Sequence, residues 1–335
     1  MAPTEAGTDD AAPAPHTSAT ELRPELSFVT TLARSVGDRI RASFGLGNDV
    51  FFDLSDVDIK LKASAADLVT EVDVAVEKII TEAILADFPN HKILGEETAI
   101  EGVSKLTADK TWIIDPIDGT TNFVHGVPYV GVSIGYYENF EPVLGVVYNP
   151  ILDELFAAER GKGAFLECFE SKTRKPGSTN ITVQLKKIAL SRRNASSKTL
   201  QESLVGTGFQ VQELAKLRDT TRRDELDEKQ IAALHRIKET VARNTMAVVL
   251  ESRDLRRSGS AACDLCNVAC GRLDCYFETG IKEWDVAAGI LICQEAGCVI
   301  ADYTGKMLAK ELDGRRIVAA ANPTIMKQVV ELIEM

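Results

Sequence analysis

Asp115 and Asp118, three residues apart, carry the strongest chemical signal in the chain. They sit inside the stretch Trp112-Ile113-Ile114-Asp115-Pro116-Ile117-Asp118-Gly119-Thr120-Thr121-Asn122-Phe123. Trp112 to Ile114 reads as a short buried strand, and Pro116 fixes the backbone between the two acids. Gly119 permits a tight turn, and Thr120, Thr121 and Asn122 favour the opening of a helix. Free N–H groups at a helix start suit a phosphate. Two carboxylates beside a phosphate would repel it unless divalent cations lay between them. Mg²⁺ binds in this way, through a few carboxylates and substrate phosphate oxygens. The expectation is a metal-dependent phosphoryl site.

Other candidates are weaker alone. In Asp67-Leu68-Val69-Thr70-Glu71-Val72-Asp73, Thr70 and Asp73 have the spacing of a capping box, with Asp73 as a first-turn acid. Glu96 and Glu97 follow Gly95 and have the composition of a solvated loop. Asp285, between Trp284 and Val286, reads as a helix N-cap that could also aim an acid at the same metals. Cys263, Cys266 and Cys270 suggest zinc or iron–sulfur binding, but no second pair follows at zinc-ribbon spacing. Their spacing places them on one face of an Ala-rich helix, so packing is the expected role. A haloacid dehalogenase site needs Asp-x-Asp, with the first Asp as nucleophile. Here two residues intervene, which counts against it.

The elements that must position these groups show in the hydrophobic pattern. Leu22 to Phe44 has helical spacing through Leu26, Val29, Leu32, Ala33, Val36 and Ile40. Val57 to Lys62 alternates like a strand. A helix from Thr70 to about Asp87 buries Val72, Val76, Ile79, Ile80, Ala83 and Ile84, and Lys92 to Leu94 is a strand. Tyr129–Tyr137, Pro142–Tyr148 and Glu154–Leu166 are three apolar runs with turn signals at Glu138-Asn139, Asn149-Pro150 and Gly161-Lys162-Gly163 and no intervening helices, which predicts an antiparallel meander. Cys168 to Gln184 reads as a surface excursion. From Ile188 strands and helices alternate: a strand at Ile188–Leu190, helix Ser196–Val205, and a long charged segment Gln210–Arg253 with Ile231, Leu234, Ile237 and Val241 on one face. Then come helix Ala261–Cys270, strand Asp274–Phe277, helix Asp285–Ala296, strands Cys298–Ala301 and Ile317–Ala320, and a final helix capped by Asn322-Pro323.

The 335 residues suffice for about two domains. The division read here is a disordered tail at 1–21, an N-terminal α+β part at 22–187 and a C-terminal α/β part at 188–335. The fold class expected is α/β, an α+β layered sandwich with a meander sheet first and a mixed sheet second. A net charge of −12 argues against a nucleic-acid or anionic-membrane surface. Seven cysteines without a disulfide framework or secretory signal suggest a reducing compartment, the cytoplasm by default. No apolar run is long enough for a membrane span.

With these motifs in hand, the chain resembles the inositol monophosphatase family of Mg²⁺-dependent, lithium-sensitive phosphatases. The resemblance rests on Asp67–Asp73, Gly95-Glu96-Glu97, Trp112–Phe123, Arg256–Ala262, and Glu278 through Trp284-Asp285-Val286-Ala287-Ala288-Gly289. It covers about residues 22 to 335 apart from the segments 168–184 and 210–253, which look longer than in compact members. It implies two or three Mg²⁺ ions held by Glu96, Asp115, Asp118, Asp285 and the carbonyl of Ile117. It implies that Thr120 and Asp73, with Glu96, orient and deprotonate the attacking water. Backbone amides of Gly119 and Thr120 would hold the phosphate beside Asp118, and Gly259, Ser260, Ala261 and Glu278 would contact a polyol. The reaction implied is hydrolysis of inositol monophosphate by metal-activated water, without a covalent enzyme intermediate. Histidinol phosphate, sugar phosphates and bisphosphorylated nucleotides are the alternative substrates within the superfamily. A homodimer is the implied assembly. The reading of another class is a non-catalytic, metal-binding regulatory protein on the same fold.

Overall fold

A computed structural model of the chain describes residues 23–44, 59–61, 68–99, 105–172, 182–192, 197–307 and 315–334. The expected tail at 1–21, the loop at 45–49 and Asp67 lie outside the described residues.

The chain opens with α1, Leu26–Ser43, which buries Val29, Leu32, Ala33, Val36 and Ile40 as its spacing predicts. Strand β1, Ile59–Leu61, pairs antiparallel with β2, Leu68–Thr70, and leads into α2, Glu71–Asp87. Next come β3 (Lys92–Gly95), β4 (Thr111–Asp118) and the short helix α3 (Thr120–Val124). Then β5 (Gly131–Glu138), β6 (Glu141–Asn149), β7 (Glu154–Glu159), β8 (Gly163–Lys172) and β9 (Thr182–Ala189) follow in sequence. Strands β3 to β9 form one seven-stranded sheet in chain order. Its β3–β4 pair is parallel and the rest is an antiparallel meander.

The second half begins with β10 (Leu204–Thr207), followed by α4 (Val211–Ala215), α5 (Thr220–Asp224) and α6 (Glu228–Glu251). It continues through β11 (Asp254–Arg256), α7 (Ala261–Cys270), β12 (Cys275–Thr279) and α8 (Glu283–Ala296). It ends with β13 (Val299–Ala301), β14 (Arg316–Ala320) and α9 (Pro323–Leu332), whose N-cap Asn322 accepts the Ile325 N–H. A mixed five-stranded sheet runs β11-β10-β12-β14-β13.

The packing makes an alternating sandwich. Helices α1 and α2 cover one face of the large sheet, α7 and α8 fill the space between the two sheets, and α9 packs on the far side of the small sheet. Helix α8 is apolar all round, with Val286 to Cys293 continuously buried, because it meets sheet on one side and helix or sheet on the other. It approaches β6 so closely that a Cβ at Gly145 would lie 2.7 Å from the Ala288 carbonyl. The layered class read from the sequence is the observed one.

Several local readings change. The run Glu154–Leu166 is a hairpin, not one strand, because the Gly161–Gly163 turn reverses it. The ends of the expected excursion, Cys168–Lys172 and Thr182–Gln184, are paired strand in β8 and β9, and 173–181 lie outside the described residues. The strand at Ile188 closes the large sheet instead of opening the small one. In place of a helix over Ser196–Val205 there is one 3₁₀ turn, Leu200–Glu202, then β10. There parallel pairing with β11 and β12 overrides the helical pattern. Asp285 is not the N-cap of α8. Lys282 holds that position, and Asp285, three residues on, accepts its backbone N–H at 2.6 Å.

Candidate metal and phosphate site

The site is built at the end of β4. Along this strand Trp112 and Ile114 join the core beneath α1 and α2, while Ile113 joins the cluster containing Ala287 of α8. Alternation therefore directs Asp115 to the α8 side. A spacing of three would turn Asp118 to the opposite face of a regular strand. The pairing with β5 shifts register between Asp115 and Asp118, and that irregularity brings the acids together. Pro116, which has no N–H to give the ladder, occupies the break.

Asp285 arrives from the first turn of α8, pinned by its bond to Lys282. One carboxylate oxygen from each of Asp115, Asp118 and Asp285 lies within 4.8 Å of the others. Asp115 is 1 % exposed and its Oδ1 has no hydrogen-bond partner. Burial pushes its pKa well above the usual carboxylate range, and the charges of Glu96, Asp118, Asp285 and Asp73 push further. Four sequence-predicted acids thus act electrostatically on Asp115, of which Asp118 and Asp285 share the three-acid cluster and Glu96 and Asp73 lie outside it. Burial also raises Asp118 and Asp285, and Asp118 adds to the shift at Asp285. Hard oxygen donors, a buried orphan oxygen and mutually repelling acids fit a divalent cation.

The other predicted residues surround this cluster. Gly119 takes φ +97°, and Thr120 starts α3, donating its hydroxyl to the Ile117 carbonyl at 3.3 Å. Helix α3 has only five residues, so an anion at its start would meet local N–H groups more than an extended helix dipole. Asn122 Nδ2 donates to the Tyr129 carbonyl at 2.7 Å and the Ser258 carbonyl at 2.9 Å, tying α3 to the loop before α7. In that loop Gly259 adopts φ +97° and Ser260 caps α7. Ser260 Oγ and the Ala262 N–H both donate to Asp118 Oδ2, each at 2.6 Å. Glu278, at the end of β12, accepts the Tyr276 hydroxyl, and burial lifts its pKa to about 7. Its charge is felt at Asp118.

The cysteines go elsewhere. Cys263 and Cys266 are buried in α7 and all seven are free. Burial raises both thiols, which suits packing.

Besides Asp274, which pairs with Arg192 and Lys198, two buried acids escaped the sequence reading. Asp264 accepts the Tyr129 hydroxyl at 2.6 Å and is raised by burial to about 7. Glu77 lies on α2, and its carboxylate accepts the Glu97 N–H at 2.7 Å. A signal was available for the second. Asp73, Glu77, Ile80 and Ile84 follow the i, i+4, i+7, i+11 rhythm of a single stripe, and all four are buried.

The model of the inositol monophosphatase family matches residues 21–334. The chain belongs to that family. Inositol monophosphatase 2 of Solanum lycopersicum is 43 % identical over 256 residues, covering 76 % of this chain and 80 % of the relative. A protein named Nus factor SuhB from Pasteurella multocida (strain Pm70) is 35 % identical over 314 residues, covering 93 % and 97 %. The solved IMPase of Thermotoga maritima superposes with a TM-score of 0.66 at 30 % identity, covering 92 % of this chain and 95 % of that one. The inositol monophosphatase fold is therefore shared along nearly the whole described chain. No described helix is long and apolar enough to cross a membrane.

Proposed function

We propose that this protein is a Mg²⁺-dependent phosphomonoesterase that hydrolyses inositol monophosphate to inositol and phosphate. The observation that carries the reading is the buried Asp115, with an orphan oxygen and four further acids acting on it. Glu96, Asp115, Asp118, Asp285 and the Ile117 carbonyl would hold the cations. Once bound, divalent cations supply charge neutralisation at the phosphoryl oxygens, acidify the attacking water and stabilise the departing alkoxide.

The chain's own groups do the rest. Asp73 and Thr120 orient the water for in-line attack and take its proton, with Glu96 beside them. Backbone N–H groups of Gly119 and Thr120 hold the phosphate. Glu278 accepts hydroxyl hydrogens of the polyol, with Gly259, Ser260 and Ala261 lining the approach. Water attacks phosphorus directly, so no side chain is phosphorylated. Cytoplasmic placement, lithium sensitivity and a homodimer belong to the same reading.

The test is phosphate release from inositol monophosphate, histidinol phosphate, sugar phosphates and bisphosphorylated nucleotides, compared by kcat/KM. Inositol monophosphate is expected to lead. A different leader keeps the phosphatase and replaces the substrate.

A second reading is a regulatory protein on the same fold, which the relatives named Nus factor SuhB favour. It predicts metal binding with no phosphate release from any member of the panel.

A further inference from the structure

We propose that Glu77 is a positioning residue: its carboxylate shapes the Gly95–Thr98 turn and thereby sets the reach of Glu96 toward Asp115. The inference rests on the reading above, in which Glu96 and Asp115 share a divalent cation.

Glu77 is 1 % exposed, one helical turn beyond Asp73 on the same face of α2. Two contacts fit the turn around its carboxylate. On the C-terminal side of Glu96, the Glu97 N–H donates to Glu77 Oε2 at 2.7 Å. On the N-terminal side, a Cβ at Gly95 would lie 2.5 Å from the Glu77 carboxyl carbon, so any side chain there would have to push the carboxylate aside. Glu96 is therefore followed by a residue bonded to Glu77 and preceded by a glycine set close against the same carboxylate. Its own N–H donates to the Ile114 carbonyl at 3.1 Å, one residue before Asp115. The Ala99 N–H closes the turn on the Gly95 carbonyl at 2.9 Å.

Burying a carboxylate is costly, and an apolar residue of similar size would fill this helix face more cheaply. What an apolar residue lacks is an acceptor for the Glu97 N–H. Groups that hold a ligand-bearing segment in place commonly control metal affinity without touching the metal. Asp73 and Glu77 together make one face of α2 the mount for both the water-orienting acid and the Glu96 turn.

The experiment measures Mn²⁺ binding without substrate, by electron paramagnetic resonance, for the wild type, Glu77→Ala, Glu77→Gln and Gly95→Ala. Circular dichroism and thermal melting check that each variant folds. Glu77→Ala is expected to weaken Mn²⁺ binding by about tenfold or more, and to raise the Mg²⁺ concentration for half-maximal activity in step. Its kcat at saturating Mg²⁺ should fall much less. Glu77→Gln, whose amide oxygen still accepts, should stay within about threefold of wild type.

If Glu77→Ala does not fold, Gly95→Ala decides. It keeps the acid but pushes a methyl group into it, and should weaken Mn²⁺ binding as well. Unchanged binding in a folded Glu77→Ala or in Gly95→Ala overturns the proposal, as does a Glu77→Gln as impaired as Glu77→Ala. A wild type that binds no Mn²⁺ sinks the metal reading and this inference with it. A wild type that binds while every variant matches it sinks only the role of Glu77.

Discussion

Ser260 donates its hydroxyl to Asp118 at 2.6 Å, joining residues 142 positions apart in the chain. The bond fastens the start of α7 to the end of β4, and the Ala262 N–H strengthens it on the same oxygen. Because Ser260 also caps α7 through the Cys263 N–H, one side chain fixes both a helix start and a carboxylate. Ser260→Ala should therefore lower stability by about 1–3 kcal/mol and reduce activity. Urea unfolding measures the first effect. A change well under that range would mean that the backbone bond from Ala262 suffices.

Asp118→Asn keeps an oxygen able to accept from Ser260 and Ala262 but removes the charge. Turnover is expected to fall by about 100-fold or more, since charge stabilisation by a bound ion contributes several kcal/mol. The fold should persist, as judged by circular dichroism. Activity within a few-fold of wild type would take Asp118 out of the site.

Removal of divalent cations with EDTA should abolish phosphate release, and added Mg²⁺ should restore it. Refolding should not be needed, because both sheets and the layer between them are held by extensive apolar clusters that contain none of the metal-binding acids. Full activity after exhaustive chelation would rule out a metal mechanism.

The acids also predict how stability depends on pH. Burial raises Asp118 and Asp285, and brings Glu278 and Asp264 to about 7, all above their unfolded values. Between about pH 4 and pH 7 the folded chain therefore binds more protons than the unfolded one. Their contribution to metal-free stability is present at the acid end and lost as pH rises through 7. A cation that holds the ionised carboxylates should reverse that loss. Thermal melting should accordingly show Mg²⁺ raising the Tm more at about pH 8 than at about pH 5, with EDTA controls. Equal shifts at both values would separate the cation from these acids.

Much of this was legible beforehand. The periodicities of α1 and α2, the Asn322-Pro323 start of α9 and the alternation in the second half all reflect burial on one face, which a linear pattern records. The turn signal at Gly161–Gly163 is legible although Glu154–Leu166 counts as one strand in the apolar pattern, and the segment around Leu200 reads as helix. Turn chemistry and strand pairing decided those segments, and helical or continuous apolar patterns could not.

By itself the sequence determined the residue types of the site, since Asp115, Asp118, Asp285, Glu96 and Asp73 were all recognisable as acids at element boundaries. Which of them meet was a tertiary matter. Asp118 shares a face with Asp115 because the β4–β5 register shifts there, and Asp285 joins them because α8 lies between the sheets. Asp264 became visible only when burial was known, whereas Glu77 already lay on the apolar stripe of α2. Hydrophobic patterning reports how a segment faces its neighbours, whereas the energy of a buried charge depends on groups brought near it from every other segment.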